Sequence, residues 1–133
     1  MTDLTDHAKN LLARALCGRV PALPVAAWAA LGTGGADATG LPGEPAGNGY
    51  ARQRVTFTGT GVQRNASALS FNFTGAVGTL SHLGLFDAAS GGNPLTHAPL
   101  SSPVSVAGPG TITVAVDAPV SYTHLRAHET IAL

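Results

Sequence analysis

The stretch Thr79-Leu-Ser-His-Leu-Gly-Leu-Phe-Asp87 is an apolar, strand-like run. It leads through Ala-Ala-Ser-Gly-Gly-Asn93 into a second such run, Pro94-Leu-Thr-His-Ala-Pro-Leu100. Glycine and asparagine tolerate the positive φ that hairpin loops demand, so a Gly-Gly-Asn junction between two such runs predicts a β-hairpin. A hairpin has oily residues on one face and must bury them against a further layer. The remaining sequence therefore has to supply more strands.

It does so in quick succession. Tyr50 to Thr58 alternates, with Ala51, Gln53, Val55 and Phe57 on one side and Tyr50, Arg52, Arg54 and Thr56 on the other. In Ala66 to Thr74 the alternation turns Leu69, Phe71 and Phe73 inward and Ser70 and Asn72 outward. Val104 and Val106 precede a Gly108-Pro-Gly110 turn, and Ile112, Val114 and Val116 alternate beyond it. Upstream, Val25-Ala-Ala-Trp-Ala-Ala-Leu31 reads as strand or helix by periodicity; its short length and its Pro24 and Gly32 boundaries favour a strand. The Gly/Pro/Ala-rich residues 32–49 read as an extended surface loop. At the N-terminus, Thr2 or Thr5 caps a helix over about residues 3–17. Leu4, Ala8, Leu11, Leu12, Ala15 and Leu16 form its stripe, and Gly18 stops it.

The expected fold is mainly β: an antiparallel β-sandwich, or partly open barrel, of six to seven short strands with one N-terminal α-helix. Residues 1–119 are expected to form a single domain, consistent with the 133-residue length. Charged residues are only 11% of the chain, seven basic against seven acidic. That balance leaves no field to attract nucleic acid or an anionic membrane. The apolar run Val20–Leu31 is too short to span a bilayer and is interrupted by Pro21 and Pro24. The polar, acidic N-terminus lacks the features of a signal peptide, so Asn65-Ala-Ser67 and Asn72-Phe-Thr74 are read as accidental sequons.

Candidate chemistry is sparse. Cys17 is the only cysteine and reads as a small buried hydrophobe at the helix end. His82 and His97 lie in opposite hairpin arms without an evident third metal ligand, and read as core or rim histidines. Asp87 opens the turn, where its carboxylate can accept backbone N–H groups. Arg52 and Arg54 read as surface, or as partners of Glu44 or a neighbouring subunit. Trp28 reads as core packing rather than a sugar platform. No Gly-x-Ser-x-Gly elbow occurs, and Gly32-Thr-Gly-Gly35 lacks the Gly-Lys-Ser/Thr of a phosphate cradle. No catalytic, cofactor-binding or metal residue is therefore assigned.

The C-terminal Val120-Ser-Tyr-Thr-His-Leu-Arg-Ala-His-Glu-Thr130 breaks the strand pattern. His124, His128 and Glu129 have helical metal-site spacing but lack the intervening Glu of a zinc-protease helix. The segment resembles translated sequencing-adapter DNA. The natural sequence is thus expected to stop near residues 117–120, leaving residues 120–133 a non-native or disordered tail.

Three segments resemble a family of short tailed-bacteriophage virion proteins, commonly labelled phage tail fibre or minor tail proteins. They are Leu4-Thr-Asp-His-Ala-Lys-Asn-Leu-Leu12 through Trp28-Ala-Ala-Leu31; Gly47-Asn-Gly-Tyr-Ala-Arg-Gln53; and His82-Leu-Gly-Leu-Phe-Asp-Ala-Ala-Ser-Gly-Gly-Asn93 with Leu95-Thr-His-Ala-Pro-Leu100. The resemblance covers about residues 4–117. Family members usually carry one more Thr/Leu-rich strand at the end. The resemblance implies a non-enzymatic structural subunit without cofactors, assembled in the host cytoplasm into the virion tail. It implies homo-oligomers and contacts with other virion proteins. A capsid-decorating protein and a carbohydrate-binding module, the latter using Trp28, Tyr50 or Tyr122 as a platform for a host glycan, are the alternatives.

Overall fold

A computed structural model describes residues 3–59 and 63–114. The tail expected at 120–133, with His124, His128, Glu129 and Tyr122, lies outside the described residues, as does Val116. The elements are β1 (Asp3–Leu4), α1 (Asp6–Leu16), β2 (Ala27–Gly32), β3 (Gln53–Val55), β4 (Phe57–Thr58) and β5 (Arg64–Asn65). They continue with β6 (Leu69–Phe73), β7 (Gly78–Phe86), β8 (Pro94–Val106) and β9 (Gly110–Val114). All strand pairs are antiparallel.

One sheet has the order β1-β8-β7-β2-β3; β6 pairs with β9, and β4 with β5. The predicted hairpin is the spine of the larger sheet, with Leu83 opposite Ala98 and Leu85 opposite Thr96. The inner face of this sheet contributes Ala29, Leu31, Val55, Leu80, Leu83, Leu85 and Leu95 to a core that Leu69, Phe71 and Phe73 close from β6. Burying each large side chain of this kind is worth about 1.5–3 kcal/mol. The expected mainly-β, sandwich-like architecture with one helix is what the described residues form.

The strands are more numerous and less uniform than the alternation predicts. The Tyr50–Thr58 run splits into β3 and β4, because Thr56 leaves the first ladder and its carbonyl accepts Ala66 N–H instead. Pro94–Leu100 and Val104–Val106 merge into one long β8. An irregularity lies between the pairs Leu80–Val104 and His82–Pro99, where β8 has several residues opposite Ser81. β8 carries Pro99 and Pro103, and β1 covers its outer edge only at Thr96 and His97.

Helix α1 begins one turn later than the stripe suggests, because Thr5 is its cap. The Thr5 hydroxyl accepts Ala8 N–H at 3.2 Å and donates to the Pro94 carbonyl. Gly18 ends the helix as expected, at φ 77°: Gly18 N–H reaches Ala15 O and Arg19 N–H reaches Arg14 O, the double bond of a Schellman stop. Thr5 is fully buried and ties the helix to β8. Thr5→Ala is expected to cost about 1–2 kcal/mol in urea unfolding, the loss of an N-cap.

The 32–49 segment is not the extended loop expected. Ala36 and Gly40 exchange two backbone hydrogen bonds, of 2.9 and 2.7 Å, and Thr33 N–H reaches Pro42 O. The segment thus folds back on itself over the outer face of the large sheet, where Leu41 forms a second small core with Ala30 and Phe86.

Candidate functional site

Three constellations stand out. The first is a polar knot around Arg52. Its guanidinium grips Glu44 through two bonds of 2.8 and 2.9 Å. It also donates to the carbonyls of Ala88 and Gly91 in the hairpin turn, and it lies 3.7 Å over the Phe86 ring. Tyr50 donates to Glu44 at 2.6 Å and accepts Leu31 N–H. Burial pushes the Glu44 carboxyl up, but the Arg52 and Tyr50 hydrogen bonds outweigh it and leave the group below its usual value. Burial, then the Glu44 partner, raises the Tyr50 phenol well above its usual range. A protonated phenol and an ion pair turned inward form a clamp with no free nucleophile.

Tyr50 corrects the sequence alternation. The turn Gly47–Tyr50, closed by Tyr50 N–H to Gly47 O, has Asn48 at φ 53° and Gly49 at φ 78°. The Asn48 side chain docks on Ala76 O, and its carbonyl on Thr74 N–H. This turn aims the Tyr50 ring at Phe71 and Phe73, with centroids 6.3 Å apart, while Ala51 is exposed. A ring held there cannot serve as an exposed sugar platform. Of the two arginines grouped together by alternation, Arg52 pairs with Glu44 and Arg54 is exposed.

The second constellation surrounds the two histidines. His97, in β8, places Nε2 2.9 Å from Asp37 Oδ1, and Lys9 of α1 reaches the other Asp37 oxygen at 3.1 Å. Asp37 O also accepts Asp6 N–H. The folded-back segment is thus pinned to both helix and sheet. His82 Nδ1 lies 2.8 Å from Ser81 Oγ, which donates to Thr33 O. Gly35 lies against both rings: a Cβ placed there would meet His97 Nδ1 at 2.5 Å and His82 Cδ2 at 3.1 Å. With the Ser81 proton on a carbonyl, His82 contributes its own N–H to Ser81 and does not activate it. Asp37, invisible as a partner in the sequence, is separated from His97 by 60 residues. Among the described residues no group of three or more His, Cys, Asp or Glu is placed to hold a metal.

Asp87 sits where the turn reading puts it, accepting Asn93 N–H at 2.7 Å and the Asn93 amide at 3.1 Å. Two other expectations need correction. Cys17 is exposed rather than buried, because the helix lifts away from the sheet towards its C-terminus and leaves its last turn in solvent. Trp28 belongs to neither core: it is half-buried on the outer face of β2, opposite Phe86 and Arg54 in register.

The third constellation is apolar. A groove of about 260 Å³ lies between α1, residues 23–27 and the Val55–Phe57 strand junction, floored by Leu95. Beside it the helix stripe is largely solvent-facing, since only Ala8 is buried.

The two polar constellations give two pH responses of the same sign. His82 is held below its usual value of 6.5, by burial first and then by the nearby His97 charge. The unfolded chain therefore takes up a proton there that the fold resists, so stability falls as pH drops through that range. Asp37 lies below its usual 3.8, through its His97 and then its Lys9 hydrogen bond, and Glu44 lies below 4.5. Their contributions are complete above those usual values and are lost as pH falls through the lower folded ones. Thermal unfolding between pH 8 and about pH 3 should show two successive declines. His82→Gln should remove the first, and Glu44→Gln should shrink the second.

These are the features of a β-sandwich whose polar groups fasten its loops and whose apolar helix face is left open. Residues 3–119 match a family model that places the chain among bacteriophage virion structural proteins of the tail fibre class. The model is described as Podophage GP4 fiber I protein gp80, and the chain belongs to that family. The sequence matches none of the curated proteins with which it was compared.

Proposed function

We propose that the chain is a non-enzymatic structural subunit of a phage tail fibre. It is made in the host cytoplasm and works through contacts with other virion proteins and with further copies of itself. The observation that carries this reading is the fibre-family match across residues 3–119. The geometry supports it: the polar groups of Arg52, Glu44, Tyr50, Asp37 and His97 are engaged with one another and with the backbone. In this reading residues 1–119 act as one folding unit. No catalytic, cofactor or metal residue is needed, and neither nucleic acid nor membrane takes part.

Mass spectrometry of purified particles, with immunogold labelling, tests the proposal. The protein should be present in stoichiometric amounts with gold on the tail fibres. Gold confined to heads would make it a decorating protein, and absence from particles would overturn a virion role.

A further inference from the structure

Asn48 is the one asparagine of the chain followed by glycine, and it is exposed. The two residues are the centre of the turn Gly47–Tyr50, at φ 53° and 78°. Positive φ at both central positions is the mark of a type I′ turn, which selects Asn-Gly because most side chains resist that backbone. At Gly49 the demand is stricter, since a Cβ there would lie 3.2 Å from the Asn72 carbonyl oxygen and from Thr74 N. The pair the turn requires is also chemically labile, because a glycine amide nitrogen has no side chain to hinder its attack on the neighbouring carboxamide. We infer that Asn48 is a site of spontaneous deamidation, and that its conversion undocks the turn that aims Tyr50 into the core.

In the reaction hydroxide takes the Gly49 amide proton and the nitrogen attacks Asn48 Cγ. A new C–N bond forms, the Cγ–Nδ2 bond breaks, and Nδ2 leaves as ammonia with a proton from water. Water then opens the cyclic imide. Cleavage at Cγ leaves aspartate, and cleavage at the main-chain carbonyl leaves isoaspartate, whose backbone is longer by a methylene. Ring closure needs the 48–49 peptide to rotate out of its type I′ setting. Three contacts restrain that rotation. Asn48 Nδ2 donates to Ala76 O at 2.9 Å, and Asn48 O accepts Thr74 N–H at 2.8 Å. Asn48 Oδ1 rests on Gly75, where a Cβ would come within 2.8 Å of it. The fold therefore sets the pace of the reaction without shielding the group from water. The product carboxylate has no N–H for Ala76 O and sets a negative charge against that carbonyl. Tyr50 lies just beyond, stacked on Phe71 and Phe73 and bonded to Glu44, so the change reaches the Arg52 knot. A subunit built into a particle is not replaced, so in the fibre reading the conversion accumulates with particle age; that consequence alone rests on the fibre reading.

Incubation of the purified full chain at mildly alkaline pH, followed by peptide mapping with mass spectrometry, tests this. Asn48 should convert to aspartate and isoaspartate before the exposed Asn10, Asn72 and Asn93 react, and faster as pH rises. Gly75→Ala should speed the conversion about fivefold, the effect of losing one ordinary hydrogen bond. The three atoms nearest the added methyl all belong to the Asn48 side chain, and the φ of Gly75 lies outside the left-handed region, so alanine suits the backbone. Urea-unfolded wild type supplies a second comparison that needs no variant: the native chain should react measurably, but more slowly. Asn48→Gly should abolish the reaction and keep the turn, since glycine accepts positive φ. In the converted protein, separated by its added negative charge, the NMR resonances of Tyr50 and Phe71 should shift and Tm should fall. A native chain that keeps Asn48 intact while the unfolded chain reacts overturns the site. Equal rates in wild type, folded Gly75→Ala and unfolded chain overturn the restraint, and unmoved Tyr50 resonances after conversion overturn the undocking. These results come from the isolated chain, so they stand apart from the immunogold test of the fibre reading.

Discussion

Arg52→Ala is expected to destabilise the protein by about 3–5 kcal/mol, the cost of removing one partner from a buried ion pair. The Arg52 side chain is 8% exposed and that of Glu44 22%, so the abandoned carboxylate would be poorly solvated. The same substitution frees the Ala88 and Gly91 carbonyls and the Phe86 ring face. Three parts of the chain distant in sequence would lose a common tether: the folded-back segment, the start of β3 and the hairpin turn. A fall in Tm of roughly 10–20 °C should follow. Arg52→Lys separates charge from geometry, since a lysine keeps the cation but cannot form the bidentate grip. Differential scanning calorimetry should place it between wild type and alanine. Equal stability of all three proteins would show that the knot is ornamental to folding.

Gly84→Ala is expected to be nearly as damaging, although it adds a single methyl. A Cβ at this position would lie 2.4 Å from the Thr96 carbonyl oxygen on β8 and 3.1 Å from two Leu41 side-chain carbons. The backbone oxygen cannot move without disturbing the β7–β8 ladder, and Leu41 cannot move without opening the outer core. Overpacking of this kind costs about 1–3 kcal/mol, and here the obstacle on one side is backbone, so the upper end is expected. Urea unfolding gives the magnitude, and hydrogen exchange gives the location. Protection should drop in residues 33–44 and β8 before it drops in β6. Leu41→Ala provides the comparison: it should loosen the same segment by about 2–5 kcal/mol while leaving the β7–β8 register intact.

Much of the architecture was legible because strand alternation is a local signal. Leu69, Phe71 and Phe73 point inward as their spacing demands, the Gly-Gly-Asn junction turns a hairpin, and Gly18 stops the helix. The misreadings share a cause: each depends on what lies across the fold. Tyr50 follows the turn that precedes it rather than the strand that follows, and Asn48-Gly49 was the available clue to that turn. Leu16 sits on a stripe that predicts burial and Cys17 follows it at the helix end, yet the sheet does not extend beneath the last helical turn. The Asp37–His97 pair closes a gap of 60 residues that no spacing rule reaches. The Arg52–Glu44 pair was nearer and was among the readings of the sequence, whereas the carbonyls of the hairpin turn that complete the knot were not.

The proline pair in β8 has a consequence for how such subunits can join. A residue lacking an amide hydrogen cannot donate to an incoming strand, so Pro99 and Pro103 punctuate the one long margin of the large sheet. Runaway stacking of copies through that margin, the route to insoluble cross-β aggregates, is thereby discouraged. Growth of an ordered appendage from this chain would have to proceed through its side-chain surfaces, where geometry can dictate when to stop.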